Sequence, residues 1–410
     1  MAALILLTGD IPDPDRLAHD MWALQLSETG SLTISENAVT DNWRVYYPNT
    51  VPKPLELLIG FVRSPAGFLP GSLAVLLLAS AAILSVYKAS GGGGEGIAAA
   101  YFLGFNPVFV LLALRGNPAI PFITAGFLLQ TSGGAGAGTF LAALSRPEGF
   151  LYGGWHCLRS RNWKPALLLG LAAAAWLFFH KSCCGSVLWA SREVRYSVAA
   201  MAYPTPNPVT FLPWAGIRSI LILGAPGAAI LYGNIRRWKL AVPFGANFAL
   251  LTLSLGFGSL VLPRYIDQLF LLATPFIFTE LAVLLKGRRK VLVTALVIVF
   301  PWFQWISAIP EIREHADTRD FYRQTELNSY GVTAANELLI PGLALAEGIH
   351  DPRGLFVSSD RAAWENASEE ELASFGVSRI LVYGRGIYFP EHTRRWLGTL
   401  NDMEVVYYGE

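Results

Sequence analysis

The chain is short of charge. Only 15% of its 410 residues are Asp, Glu, Lys or Arg, against 53% hydrophobic residues, where a soluble domain carries about a quarter charged residues. That balance excludes an ordinary water-soluble domain and fits an integral membrane protein. A surplus of either sign is missing too: the formal net charge is +1, so no overall field draws nucleic acid or an acidic partner. Cysteine is nearly absent. Cys157, Cys183 and Cys184 cannot build a disulfide framework, and the adjacent pair is poorly placed for a mutual bridge, so all three read as small apolar residues. The six histidines are scattered without metal-ligand spacing. Glycines at 91–94 and 96 are not followed by the Lys-Ser/Thr of a phosphate-binding loop and read as a cytoplasmic turn.

What the chain does have is apolar length. Spans are expected at about 66–87, 97–114, within 118–158, and at 165–180, 213–233, 240–262, 266–285 and 291–309. Three loops cluster basic residues: Arg159, Arg161 and Lys164; Arg236, Arg237 and Lys239; and Lys286, Arg288, Arg289 and Lys290. The positive-inside rule puts all three in the cytoplasm, so the loops at 181–212 and 263–267 face outward. Lys88 is inside, Arg115 outside, and the chain is inside again by Arg159, which requires an odd number of crossings. Three short ones fit, at 118–130, 134–145 and 149–158. They place Arg146, Pro147, Glu148 and Gly149 at an outward-facing turn.

The opening MAALILLT is shorter than a span and lacks the basic flank of a signal peptide. Either a first helix is cut short or the chain begins at its outer end. The polar stretch 9–58 then lies on the outer face. Asp13-Pro14 starts a helix there, and Leu17, Met21 and Leu24 make it amphipathic along the membrane surface as far as Gly30. A second such piece begins at Pro54. From 310 the chain becomes charged. Helices around 321–339, 368–375 and 391–399 alternate with apolar runs at 354–360, 378–384 and 403–409, a small α/β domain with about three strands. The fold class is mainly α: a multi-pass helix bundle of the cell membrane over 1–309, with amphipathic helices in the first outer loop, and a small extracytoplasmic α/β domain over 310–410.

Chemistry concentrates on the outer side. Asp15 in a first helical turn is favoured by the helix dipole alone. Asp10, Asp13, Asp15 and Asp20 together suit a general base for a hydroxyl, or a ligand set for a divalent cation. Lys53 and the Arg264-Tyr265 pair stand at outer ends of helices. Snorkelling explains most such residues, yet two cations facing carboxylates also suit a phosphate and its departing charge. Glu148 at membrane depth is a functional candidate, although pairing with Arg146 would satisfy it structurally. His19 stands one turn after Asp15 and either shares its face or sits on the surface.

The order and sidedness of these motifs resemble the GT-C glycosyltransferases, the superfamily of the protein mannosyltransferases and the lipid A aminoarabinose transferases. Asp15, Ala23 and Gly30 stand in the pattern of the first outer loop, and Lys53-Pro54-Leu55 resembles its K-P-P-L-like exit. Leu144 to Gly149 match an L-x-R-P-E-G turn, and Arg264, Tyr265 and Pro275 match an R-Y segment before an apolar span. The resemblance covers about 10–310. The chain departs from it in its short first helix and at Asp15-Arg16, where several relatives have paired acids, which leaves Asp10 or Asp13 as the alternative catalytic aspartate.

The resemblance implies inverting transfer of a sugar from a polyprenyl-phosphate-linked donor to the hydroxyl of a lipid, glycan or protein acceptor outside the cytoplasm. Asp15 would be the general base, with Arg264 and Lys53 at the carrier phosphate. Tyr265, Arg146, Glu148 and His19 would lie around the substrates. Membrane lipids would surround the bundle, and nucleic acid has no part. No cofactor is required, and a divalent metal is compatible. A lipid-linked-sugar transporter or flippase, or a non-catalytic scaffold of the same build, are the alternatives.

Overall fold

In the computed structural model the described residues are 16, 23, 53–63, 71–161, 163–184, 208–256, 263–324, 332–335, 355–357, 370, 377–383 and 404–408. Among them the chain is mainly helical. The helices are α1 Pro54–Arg63, α2 Gly71–Ala89, α3 Gly93–Phe105, α4 Pro107–Leu114, α5 Ala119–Gln130, α6 Ala135–Ser145 and α7 Gly149–Ser160. There follow α8 Lys164–Cys184, α9 Pro208–Asn234, α10 Ala241–Gly256, α11 Pro263–Leu271, α12 Thr274–Leu284 and α13 Gly287–Gln324. Four stretches among the described residues are long and apolar enough to cross a membrane, Lys164–Ser182, Val209–Arg237, Arg264–Leu284 and Gly287–Ile306, and the bent pair of α3 and α4 makes a fifth.

The stretch 118–158 folds into three short helices, α5, α6 and α7, close to the bounds expected for the three short pieces. Gly138 of α6 lies so close to α5 that a Cβ would sit 2.5 Å from the Leu129 nitrogen, and Gly153 of α7 lies against Thr139 of α6. Close backbone approach at small residues is how membrane helices gain contact area without a hydrophobic driving force. The turn between α6 and α7 is tighter still. A Cβ on Gly149 would fall 1.9 Å from the Ala142 carbonyl oxygen, which explains the glycine that closes the R-P-E-G turn. Gly149→Ala is expected to force the two helices apart and to cost about 3 kcal/mol, read as lost folded yield and a lower Tm in detergent.

Two other spans are broken, and the breaks meet. Asn106 separates α3 from α4, which are bent by 62°. Its side-chain oxygen accepts from the Val108 and Phe109 nitrogens, capping α4 ahead of Pro107. Its amide nitrogen donates to the Ile222 carbonyl at 2.9 Å. That carbonyl has no helical partner because Pro226, four residues on, has no N–H. Gly224, at φ 72 and ψ 157, lets α9 bend there and brings its backbone against the Phe300 ring. On the other strand of the crossing, Trp305 Nε1 donates to the Phe105 carbonyl at 3.0 Å. Side chains thus satisfy carbonyls at both breaks, as an interrupted span requires in lipid.

The core gathers around the Arg264–Leu284 stretch, 83% of which is buried, against 17% for Lys164–Ser182 and 11% for Gly287–Ile306. Those two outer stretches present Leu167, Leu171, Phe178, Val291, Leu292, Phe303 and Ile306 outward, as lipid-facing helices do. Inside, Trp238, Phe244, Phe248 and Phe270 form a chain of ring contacts with centroids 5.3–6.3 Å apart, a packing that adds to their burial.

Toward the C-terminus the described strands form one parallel sheet in the order β2-β1-β3-β4, with β1 Val332–Ala335, β2 Leu355–Val357, β3 Val377–Tyr383 and β4 Glu404–Tyr408. Three strands fall on the apolar runs. The fourth, β1, lies inside the helix expected at 321–339, and α13 runs through residue 310 before ending at Gln324. β-Branched Val332 pairs with β3 and Thr333 with both β2 and β3, and that pairing outweighs the helical preference of the alanines.

Candidate functional site

Arg146 caps the end of α6 in an extended conformation, φ −154 and ψ 146, and Pro147 prevents the helix from continuing. Its side chain turns into the bundle, leaving the residue 6% exposed. Phe122 of α5 and Tyr265 of α11 bracket the guanidinium, with ring centroids 6.0 and 4.9 Å from Cζ. Nη1 donates to Gln268 Oε1 at 2.9 Å. Nε stands 3.6 Å from Glu148 and makes no hydrogen bond. Phe122 is braced edge-on by buried Tyr152 at 5.7 Å. The Arg264 guanidinium lies 5.7 Å from the same Tyr265 ring, so two cations share one aromatic side chain.

Removing a guanidinium from water is costly unless it is compensated. Ring faces and a neutral amide compensate in part, and Glu148 adds a long, half-buried ion pair. Asp267 is held elsewhere: Arg218 Nε donates to it at 2.9 Å, and Nη2 makes a second bond to its other oxygen. This paired contact fixes α11 against α9. Arg146 is thus a buried guanidinium held by two rings, one neutral amide and one long ion pair, with Nε making no hydrogen bond.

The opposite end of the bundle collects the basic loops. The Lys239 carbonyl accepts from Trp155 Nε1 at 2.8 Å and from Arg159 at 3.5 Å. Arg237 pairs with Glu280 at 3.0 Å, and Lys290 with Glu95 at 2.6 Å. α7 runs from Glu148 at one end to Arg159 at the other. The Arg146 turn and Tyr265 thus share an end, and it is the end away from the basic residues.

Of the residues singled out in the sequence, Arg146, Glu148, Arg264 and Tyr265 come together. Asp10, Asp13, Asp15 and His19 lie outside the described residues. Arg16 and Ala23 are each helical and buried. Lys53 is half-buried, and its carbonyl accepts from the Leu57 nitrogen at 2.9 Å at the start of α1. α1 packs on α6, the helix that ends at Arg146. Gln268 and the Arg218–Asp267 pair were not anticipated. The signal was present, since a polar side chain one turn after Arg264 in an apolar span is a candidate by position alone. Among the described residues no three His, Cys, Asp or Glu side chains group as a metal site.

No protein-family model matches the chain, and no curated protein matches it. Among solved structures it is similar to the crystal structure of ArnT from Cupriavidus metallidurans in the apo state, at 14% identity, with a TM-score of 0.49 and coverage of 92% of each chain.

Proposed function

We propose that the protein is a multi-pass membrane glycosyltransferase that moves a sugar from a polyprenyl-phosphate carrier to an acceptor hydroxyl outside the cytoplasm. One observation carries the reading: a buried arginine whose Nε makes no hydrogen bond, Arg146, shares the Tyr265 ring with Arg264 at the end away from the basic loops. An anion is the ligand such a place suits, and a lipid phosphate is the anion that reaches it from the bilayer. Arg146 and Arg264, with Lys53 from the start of α1, hold the carrier phosphate and stabilise its charge as the sugar leaves. Asp15, or Asp10 or Asp13 in its place, takes the proton of the attacking hydroxyl. A single displacement inverts the anomeric carbon. Glu148 and His19 line the acceptor side, and the C-terminal α/β domain, extracytoplasmic in this reading, shapes it.

The broken spans bear on the rival reading of a transporter. Transporters use unwound backbone at mid-membrane to coordinate ions or substrate. Here the Ile222 and Phe105 carbonyls at the breaks are occupied by Asn106 and Trp305, which favours the enzyme.

The test is transfer itself. Purified protein in liposomes should move labelled sugar from a polyprenyl-phosphate sugar to an acceptor extract, and a reporter inserted at Tyr265 should label from outside the cell. Absence of transfer across lipid, glycan and peptide acceptors, with lipid translocation observed instead, would give the transporter. A cytosolic Tyr265 would remove the external site altogether.

A further inference from the structure

We infer that Gln268 is a positioning residue that aims Arg146 at the carrier phosphate without adding a second counter-charge to that of Glu148. The inference deepens the reading above and rests on it. Gln268 is 1% exposed and reaches Arg146 across 122 positions of chain. It stands one helical turn from Arg264 on α11, so a single helix sets the place of both guanidiniums. That helix is fixed from two sides. Arg218 holds Asp267, and Gln130 Nε2 donates to the Leu272 carbonyl at 3.1 Å.

The choice of an amide has a chemical consequence. An amide oxygen accepts one guanidinium N–H and carries no charge. A carboxylate at the same position would close on Arg146 as a bidentate, neutral pair and withdraw it from any external anion. Among the described residues, the ionisable groups on the elements around Arg146 include Glu148 on its own turn, Arg264, Tyr265 and the Arg218-paired Asp267 on α11, and Tyr152 on α7, while α5 has no ionisable side chain. With Glu148 at 3.6 Å, a second carboxylate at 268 would reverse the sign of the immediate surroundings. The neutral side chain orients the cation without neutralising it.

Two near-isosteric variants separate this role from plain packing. In nanodiscs, Gln268→Glu is expected to weaken binding of a polyprenyl monophosphate about tenfold or more while leaving Tm unchanged or raised, because the new ion pair is internally satisfied. Gln268→Met keeps the volume, loses the acceptor, and should lower both. Side-chain packing alone would move Tm and binding together in both variants. Wild-type affinity in Gln268→Glu overturns the proposal and leaves the proposed function standing. If the wild-type protein does not prefer polyprenyl phosphate over neutral polyprenol, the function and this role fall together.

Discussion

Arg146→Ala is expected to lose carrier binding and to reduce sugar transfer by about 10² to 10³-fold, the usual loss when one donor to a developing oxyanion is removed. The side chain lies between two rings, bonds Gln268 and leaves Nε available. Alanine removes charge, donors and stacking surface together. Arg146→Lys should recover little, because an ammonium can neither span the Phe122 and Tyr265 rings as a plane nor offer a fork of donors. Asp15→Asn should behave in the opposite way, binding the carrier normally while turnover falls about 10² to 10⁴-fold, as expected for loss of a general base. Equilibrium binding of polyprenyl phosphate, measured beside kcat and KM in liposomes, separates the two. If folded Arg146→Ala binds and transfers like the wild type, the phosphate lies elsewhere.

Asn106→Ala should be among the most destabilising single changes available, lowering stability by about 3 kcal/mol. The side chain serves three groups at once, the Val108 and Phe109 nitrogens and the Ile222 carbonyl, at a fully buried position. Each orphaned group would remain in a medium with no water to replace the bond. Asn106→Asp preserves the cap but cannot donate to Ile222 while ionised and places a charge at the crossing, so it should be at least as damaging. Ser85→Ala is a suitable control. Its hydroxyl only repeats a bond to the Ala81 carbonyl already used within the helix, and its loss should stay below about 1 kcal/mol. Melting in detergent orders the three variants. A stable Asn106→Ala protein would mean that α3, α4 and α9 hold their bends without this link.

Much of the architecture was written in the placement of basic residues. Counting them gave an expected sidedness, parity asked for an odd number of crossings between Arg115 and Arg159, and the three short pieces that fit put Arg146 beside Tyr265, where the structure has it. Local chemistry sufficed for the turn as well, since Arg-Pro-Glu-Gly can neither continue a helix nor tolerate a Cβ at its last position. The partners were not legible. That Asn106 serves Ile222, or Gln268 serves Arg146, depends on which helices become neighbours, and a period of 3.6 residues carries no such information. β1 was missed for a related reason: Val-Thr-Ala-Ala is ambiguous alone and becomes a strand because two others flank it.

The buried character of Arg264–Leu284 bears on how the chain enters the bilayer. The stretch is apolar enough to cross, yet Arg264, Asp267 and Glu280 within it are each costly to leave unpaired against lipid. The side chains that relieve Gln268, Asp267 and Glu280 are Arg146, Arg218 and Arg237. All three lie earlier in the polypeptide and so leave the ribosome first. This stretch therefore arrives to find its counter-groups already installed, so its charged side chains need never face lipid unpaired as it becomes the middle of the protein.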